Sequence, residues 1–403
     1  MQRRLSDEDR EFQARMREIM TTKVPQEVRD KVRLGRLLGK DDIRAAHRAL
    51  HAEGVAVPSW PEEYGGCGWT PLQKAIWNTE MQLAYVPPPL AFNAGMIGPV
   101  IAQFGSKELK DRFLPPTASL DIWWAQGFSE PDAGSDLAGL RTTAVRDGDD
   151  YVINGQKTWT TLGQYADWIF VLARTDPDAR KQAGISMFLV EMSTPGVELR
   201  PIVLVDGHHE VNEVFFTDVR VPADQMVGEE NSGWSQAKFL LGNERVGVAP
   251  VWAIKRRLAD LKAHAATVAT VDGTVLEDPL VAARIAELEA DIMALELTVL
   301  RVAANSKDGR PDPASSILKL RGSELEQAVF SLGVDVAGAM ASAWEPADEF
   351  VPPADGSDEV GGIPEWATHA MPYYLNFRKA SIYGGSNEVQ RQIIATGILG
   401  LRG

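Results

Sequence analysis

The middle of the chain, from about residue 120 to residue 222, most constrains the fold. Its apolar segments are short, and turns rich in Asp, Gly or Pro separate them. Six segments have this pattern: Thr143–Arg146, Tyr151–Asn154, Trp168–Ala173, Ile185–Met192, Val197–Val205 and Asn212–Val221. Short strands at nearly regular spacing predict an antiparallel barrel or sandwich of roughly 110 residues. A parallel dinucleotide-binding sheet is not predicted, because long helices do not alternate with the strands and GxGxxG is absent.

Helical periodicity appears on both sides of this region. One face of a predicted helix after Ser6 carries Phe12, Met16, Ile19 and Met20. Beyond Trp234 a clear stripe consists of Ile285, Leu288, Ile292, Leu295 and Val299. Such a stripe is typical of a core helix or of a helix that packs on a partner chain. The sequence therefore predicts an α+β protein with a helical domain at residues 1–120, a β domain at 121–233 and a second helical domain at 234–403.

Composition excludes several classes of function. Asp and Glu number 56 against 41 Lys and Arg, and a net charge of −15 repels nucleic acid and anionic membranes. Cys67 is the single cysteine, which excludes an internal disulfide and a cysteine-based zinc cluster. His47 and His51 lack a third ligand at useful spacing and are interpreted as an exposed helix face. The charged start and the absence of an apolar run near ~20 residues predict a cytoplasmic protein.

Three segments carry the residues suited to chemistry. They are QGFSEPDAGSD at Gln126–Asp136, NGQKTWTT at Asn154–Thr161 and IYGGSNEVQR at Ile382–Arg391. The first two flank predicted strands and supply backbone amides, hydroxyl groups and one indole. This set suits a flat heteroaromatic ring, which needs hydrogen bonds at its edge and a stacking surface beside it.

In this order and within an α–β–α arrangement, the three segments resemble the acyl-CoA dehydrogenase family. The resemblance runs from WPEEYGG at residues 60–66 to the last helix, and SEPDAGSD and NGQKTW are its most specific parts. WWAQG at residues 123–127 and LGNER at 241–245 are most similar to the large-subunit group, which includes pimeloyl-CoA and steroid side-chain dehydrogenases. The resemblance implies FAD as cofactor and a C-terminal four-helix bundle.

The resemblance also implies roles for individual residues. Those expected around FAD are Gln126, Phe128, Ser129, Trp159, Thr161, Ser386 and Glu388. Among them, Trp159 matches the indole over the flavin ring, and Thr161 matches the hydroxyl near the reactive flavin nitrogen. Those expected at the acyl-CoA substrate are Ser135 on the pantetheine arm, Arg245 and Gly384.

The catalytic base is expected to be Glu244. Many family members carry the base in a Tyr-Glu-Gly-Thr sequence, where this chain has Gly384. A second position in the family lies on the helix after the β domain, immediately before an Arg, and Glu244 occupies it beside Arg245. Removing the α-proton of a thioester needs such a carboxylate, while the backbone N–H of Gly384 can donate to the thioester oxygen. The alternative interpretation of Glu244 is a solvent-facing carboxylate.

Departures from the family pattern imply a second subunit. Homomeric relatives extend an Arg and a Phe-Gly pair to the neighbour's FAD, but residues 262–280 contain neither Arg nor Phe. The loop that normally follows is reduced to Val336–Ala339. The expected assembly is an α2β2 heterotetramer with a smaller homologous subunit, acting in lipid or steroid side-chain catabolism with an electron-transfer flavoprotein as acceptor. The alternatives are a flavin monooxygenase or oxidase on the same fold, and a non-catalytic subunit.

Overall fold

The computed structural model describes residues 5–247, 250–305, 313–345, 351 and 358–401, and it leaves the side chains of residues 242–247 and 305 undescribed. Helices occupy both ends of the described chain and strands occupy its middle. Within these ranges, no helix combines the length and the apolar character needed to cross a membrane. The predicted α–β–α organisation is therefore confirmed.

The N-terminal helices are α1 (Asp7–Thr22), α2 (Gln26–Leu34), α3 (Lys40–Ala52), α4 (Pro71–Leu83), α5 (Gly98–Phe104) and α6 (Lys107–Ala118), with a π-helical segment at Phe92–Ile97. α1 begins where the sequence predicts, because the Ser6 hydroxyl accepts the Asp9 N–H at 3.0 Å. Met16, Ile19 and Met20 are buried on its inner face, with Phe12 packed beside them.

His47 on α3 corrects the interpretation of an exposed histidine face. Its side chain is only 1% exposed, whereas His51 is exposed. Nε2 of His47 lies 2.9 Å from the Ala118 carbonyl, and the N–H of Leu90 donates to Nδ1 at 3.3 Å. Burial lowers the pKa of His47 to about 4, so the ring is neutral. Its partners lie far away in sequence, and helical spacing alone does not reveal them.

The middle strands are β1 (Trp124–Gly127), β2 (Thr143–Asp147), β3 (Asp150–Thr161), β4 (Trp168–Arg174), β5 (Ile185–Glu191), β6 (Val197–Val203) and β7 (His209–Pro222). They form one curled sheet in the order β1-β4-β2-β3-β7-β6, and β5 pairs with β4. β1 runs parallel to β4, which corrects the prediction of a wholly antiparallel arrangement. Strand periodicity indicates which residues are buried, but it does not report the direction of a neighbouring strand.

The sheet separates two apolar cores. Phe170 and Leu172 of β4 face the core shared with the N-terminal helices. Ile169 and Val171 alternate with them and face a second core within the β domain. Both faces of β4 are therefore buried, and a change in its register would disturb both cores at once.

The C-terminal helices are α7 (Gly233–Gly247), α8 (Val251–Ala265), α9 (Pro279–Asn305), α10 (Ser315–Ala337), α11 (Glu365–Asn376) and α12 (Asn387–Gly397), with a 3₁₀ turn at Phe377–Ser381. α8, α9 and α10 pack around a separate core, and α11 packs on α10. The predicted stripe lies in this core through Ile285, Leu288, Ile292 and Leu295. The stripe therefore belongs to a core helix of this subunit.

Candidate functional site

The first two motifs lie side by side. The N–H of Thr158 in the second motif donates to the Ser129 carbonyl in the first at 2.9 Å. The Lys157 ammonium donates to Glu130 Oε1 at 2.7 Å and to the Phe128 carbonyl at 3.2 Å. Three contacts thus fix the loop after β1 against β3.

Glu130 and Lys157 form a buried ion pair that sequence reasoning missed. Lys157 is fully buried and Glu130 is 7% exposed. The Glu130 carboxylate also accepts the N–H groups of Arg141 at 2.6 Å and Thr142 at 3.0 Å. Burial lowers the pKa of Lys157 to about 8, an effect that Glu130 opposes. Burial alone would raise the pKa of Glu130, but Lys157 and the two N–H groups hold it below its usual value. The sequence offers one signal of this ion pair: the first motif contains an acidic residue, Glu130, and the second contains a basic residue, Lys157.

Trp159 has an unusual backbone conformation. Its φ is +61°, and it lies where the pairing of β3 with β7 shifts register between Lys157 and Thr160. A bulky residue rarely adopts this conformation, and the bulge holds it there. The indole is 59% exposed, while Thr158 and Thr160 on either side are buried. The strand therefore presents one flat apolar ring outward beside the hydroxyl-bearing Thr161, which fits the planar ring that the resemblance implies.

The residues predicted around the flavin ring differ in what they present. Gln126 lies on β1 opposite Phe170 of β4 and is partly exposed. Phe128 is buried against Phe170 with ring centroids 5.7 Å apart, so its side chain belongs to the core and only its backbone remains for a ligand. Ser129 is partly exposed, and Ser135 is exposed farther along the loop.

Glu210 brings the third motif close to the end of β3. Its carbonyl accepts the N–H of Leu162 at 2.8 Å, immediately after Thr161. Its carboxylate accepts Asn376 Nδ2 at 3.0 Å and pairs with Lys379, whose carbonyl accepts the Tyr383 N–H at 3.2 Å. Burial favours a raised pKa for Glu210, but the Lys379 charge and the hydrogen bonds from Lys379 and Asn376 together outweigh it, and the pKa is lowered. Glu210 therefore contacts the end of the indole-bearing strand through its backbone carbonyl and the segment before Gly384 through its carboxylate.

The third motif forms a turn and a capped helix. Gly384 and Gly385 have φ values of +64° and +87°, the left-handed region that favours glycine. Ser386 accepts the Val389 N–H at 3.4 Å as the N-cap of α12, and the exposed Glu388 pairs with Arg391 at 3.6 Å. Both predicted side chains thus have local partners.

The predicted base lies outside the described side chains. Glu244 and Arg245 belong to α7, which packs on the π-helical segment Phe92–Ile97 and on α10, but their side chains are not described. In the described ranges, no group of three or more His, Cys, Asp or Glu residues is placed to hold a metal.

Comparisons with known proteins agree with this geometry. The family models for acyl-CoA dehydrogenase match over residues 6–121 (N-terminal domain), 125–219 (middle domain) and 231–399 (C-terminal domain). "Acyl-CoA dehydrogenase IpdE1" of Mycobacterium tuberculosis is 37% identical over 366 residues, covering 90% of this chain and 88% of the relative. Among solved structures, a chain of the ChsE4-ChsE5 complex from Mycobacterium tuberculosis is 32% identical, with a TM-score of 0.83 and full coverage of both chains. A chain of the "Tcur3481-Tcur3483 steroid ACAD" is 30% identical, also with a TM-score of 0.83 and full coverage.

Proposed function

The chain belongs to the acyl-CoA dehydrogenase family, and from this premise we propose how its residues carry out the reaction and on which thioesters. It is an FAD-dependent acyl-CoA dehydrogenase. One observation carries the proposal. Trp159 faces outward on a bulged strand, and Glu210 links the end of that strand to the segment before Gly384. Because one similar solved structure is named a steroid ACAD, we place the reaction in lipid or steroid side-chain catabolism.

The flavin side of the site comes from the two motifs that Lys157 joins. When bound, FAD supplies the acceptor for the hydrogen that leaves the β-carbon with its electron pair. Trp159 packs against the ring, Thr161 donates at its reactive edge, and Ser129 donates through its hydroxyl. Gln126 and the backbone of Phe128 complete the contacts. Ser386 and Glu388 lie near the diphosphate and adenosine of FAD, where the exposed Glu388 carboxylate is paired with Arg391.

The thioester side of the site places the base on α7. Glu244 removes the α-proton, with Arg245 beside it, while the Gly384 N–H donates to the thioester oxygen and stabilises its developing charge. The φ of +64° at Gly384 supports the assignment of the base to Glu244 and of only a backbone donor to Gly384. A glutamate at residue 384 would adopt a strained backbone conformation. Ser135, exposed on its loop, contacts the pantetheine arm of CoA.

A smaller homologous subunit completes the enzyme in an α2β2 heterotetramer. Two similar structures are named as complexes of two proteins, which supports this assembly. Residues 262–280 also lack the Arg and Phe that homomeric relatives lend to a neighbour. One flavin site per pair of subunits gives two FAD per tetramer, and an electron-transfer flavoprotein accepts the electrons.

The finer architecture is part of the same proposal. We infer that α8 to α11 constitute the predicted four-helix bundle and that the curled sheet approaches a closed barrel. Domain boundaries near residues 120 and 233 are supported by the end of α6 at Ala118 and the start of α7 at Gly233.

The experiment is anaerobic mixing of acyl-CoA thioesters with the FAD-loaded enzyme, co-expressed with its smaller subunit. We expect bleaching of the oxidised flavin band, slow reoxidation by oxygen, and two flavins per tetramer by native mass measurement. Rapid oxygen consumption by the reduced flavin would favour the oxidase alternative instead. A fully active homotetramer with four flavins would contradict the heteromeric assembly.

A further inference from the structure

A cavity of about 490 Å³ lies between the N-terminal and C-terminal helices. Its walls come from the ends of α2 and α4 with the segments that follow them, and from parts of α8, α10 and α11. Leu38, Val86, Val329 and Phe330 are among its apolar lining residues. Ligand pockets commonly have ~300–1,000 Å³, so this space is large enough for an organic group.

Cationic side chains outnumber anionic ones on the cavity walls. The lining residues include four arginines and two carboxylates, the arginines being Arg33, Arg36, Arg256 and Arg257 and the carboxylates Asp260 and Glu326. Carboxylates outside the lining bind Arg36 (Glu365, 2.6 Å) and Arg33 (Asp30, 3.5 Å). Arg256 and Arg257 pair with the two lining carboxylates, and each of these pairs uses only one guanidinium nitrogen.

Arg256 is fixed but keeps a free donor. Its Nη1 donates to Asp260 Oδ2 at 2.6 Å, and its guanidinium carbon lies 4.9 Å from the Tyr85 ring centre. Among the described residues its Nη2 has no hydrogen-bond partner. Burial and the neighbouring charge of Arg257 lower the pKa of Arg256, with Asp260 opposing them. A second anion would relieve this cost.

Arg257, like Arg256, is held by a carboxylate and an aromatic ring and keeps unused N–H groups. One nitrogen pairs with the buried Glu326, and the guanidinium lies 4.8 Å from the ring centre of Phe330 and 5.0 Å from that of Phe377. Its Nε and Nη2 have no partner in the described part of the chain. Two consecutive guanidinium groups thus combine fixed positions with unused N–H groups, an arrangement suited to a carboxylate.

The cavity lies along both elements that we assign to the thioester. Pro250 and Ala253 line it just after α7, the helix that contains Glu244. Tyr373 lines it on α11, which leads through Phe377 to Gly384. Phe330 of the cavity wall stacks on Phe377 with ring centres 4.5 Å apart. An acyl group held between α7 and Gly384 would therefore extend toward this space.

We propose that the cavity receives the distal end of the acyl group and that Arg256 and Arg257 select an acyl group ending in a carboxylate. The inference rests on the proposed function and narrows its substrate to a monothioester of a dicarboxylic acid. The carbon chain contacts the apolar wall, and the terminal carboxylate accepts from the unused guanidinium N–H groups.

The test compares mono-CoA thioesters of dicarboxylic acids of increasing chain length with the same thioesters whose free carboxylate is a methyl ester. The enzyme is FAD-loaded and co-expressed with its smaller subunit. The wild type should prefer the free carboxylate by ~10- to 100-fold in kcat/KM, the scale of charge-assisted hydrogen bonds. Arg257→Gln should abolish most of this preference by lowering only the carboxylate rate. Arg284→Gln, in an exposed pair with Asp335, is the matched control and should retain the preference.

Outcomes separate this inference from the proposed function. Turnover without preference for the carboxylate in the wild type would refute the inference alone. Absence of turnover with every thioester would refute the proposed function and the inference with it. If Arg257→Gln fails to fold because Glu326 loses its partner, Arg257→Lys retains the charge, and it should keep a reduced preference. Equal loss on both substrates in the folded variants would show a structural role and overturn the selection.

Discussion

Replacing Lys157 by Met tests whether the buried ion pair holds the two flavin-side motifs together. The side chains have similar length, so the main change is loss of the charge opposite Glu130. At 2.7 Å the attraction is worth ~6 kcal/mol for an effective dielectric constant of ~20. Part of this loss is offset, because the Met variant no longer buries a charged ammonium group and avoids its desolvation cost. Removing one partner of a buried pair typically costs ~3–5 kcal/mol, and we expect ~3 kcal/mol because Glu130 keeps two N–H donors.

The assay is thermal unfolding of the assembled, FAD-loaded enzyme together with titration of FAD into the flavin-free protein. For a domain of ~150–250 residues each kcal/mol shifts the midpoint by ~2–4 °C, so Lys157→Met should lower Tm by ~6–12 °C. FAD should also bind more weakly, because Phe128 and Glu130 lose their connection to β3.

Lys181→Met is the matched control. Lys181 pairs at 3.0 Å with Asp136, which lies in the same motif as Glu130, but both side chains are more than 60% exposed. Exposed pairs contribute ~0–1 kcal/mol, so Tm should fall by less than ~4 °C. Equal midpoints for the two variants would refute the reasoning. Adding Glu130→Gln to Lys157→Met should recover part of the stability, because no unpaired buried charge then remains.

Three further predictions concern catalysis and pH. Glu244→Gln should retain FAD and lose at least ~100-fold in turnover, the scale of a general base, whereas full activity would remove Glu244 from that role. Thr161→Val should slow flavin reduction more than it weakens thioester binding, and an unchanged reduction rate in rapid mixing would contradict the hydrogen bond. Folding lowers the pKa of His47 from 6.5 to about 4, so between these pH values the unfolded chain binds one more proton than the folded chain. The free energy of unfolding therefore falls as pH drops from 6.5 toward 4, by at most ~3 kcal/mol. Denaturant unfolding across this range should show a weaker pH dependence in His47→Gln than in the exposed control His51→Gln, and identical slopes would argue against the buried neutral ring.

The sequence predicts the strands well where alternation is regular. Trp168–Ala173 and Ile185–Met192 differ from β4 and β5 by one residue at their ends. The segment Tyr151–Asn154 underestimates β3, which continues to Thr161 through the whole second motif. Two register shifts against β7 interrupt the two-residue period there, so the motif does not look like a strand. β1 was missed because four residues, WAQG, are too short to show alternation.

The candidate site was less predictable than the strands, because its parts are joined by side chains distant in sequence. Trp159 and Thr161 were identified through resemblance, yet the positive φ that turns the indole outward depends on a bulge opposite β7. No local pattern in the sequence distinguishes Lys157, because its partner Glu130 lies 27 residues earlier.

The turn at Gly384 supports the proposal that the base lies on a different element. Two successive glycines with positive φ let the chain turn directly into α12, which Ser386 caps. A glutamate at residue 384 would strain this turn, so the position suits a backbone donor better than a side-chain base. The turn is held from the other side by Lys379 and Glu210, which also fix the end of β3. The N–H of Gly384 and the indole of Trp159 are therefore positioned through one connected set of contacts, whereas the proposed base, Glu244, belongs to the separate helix α7.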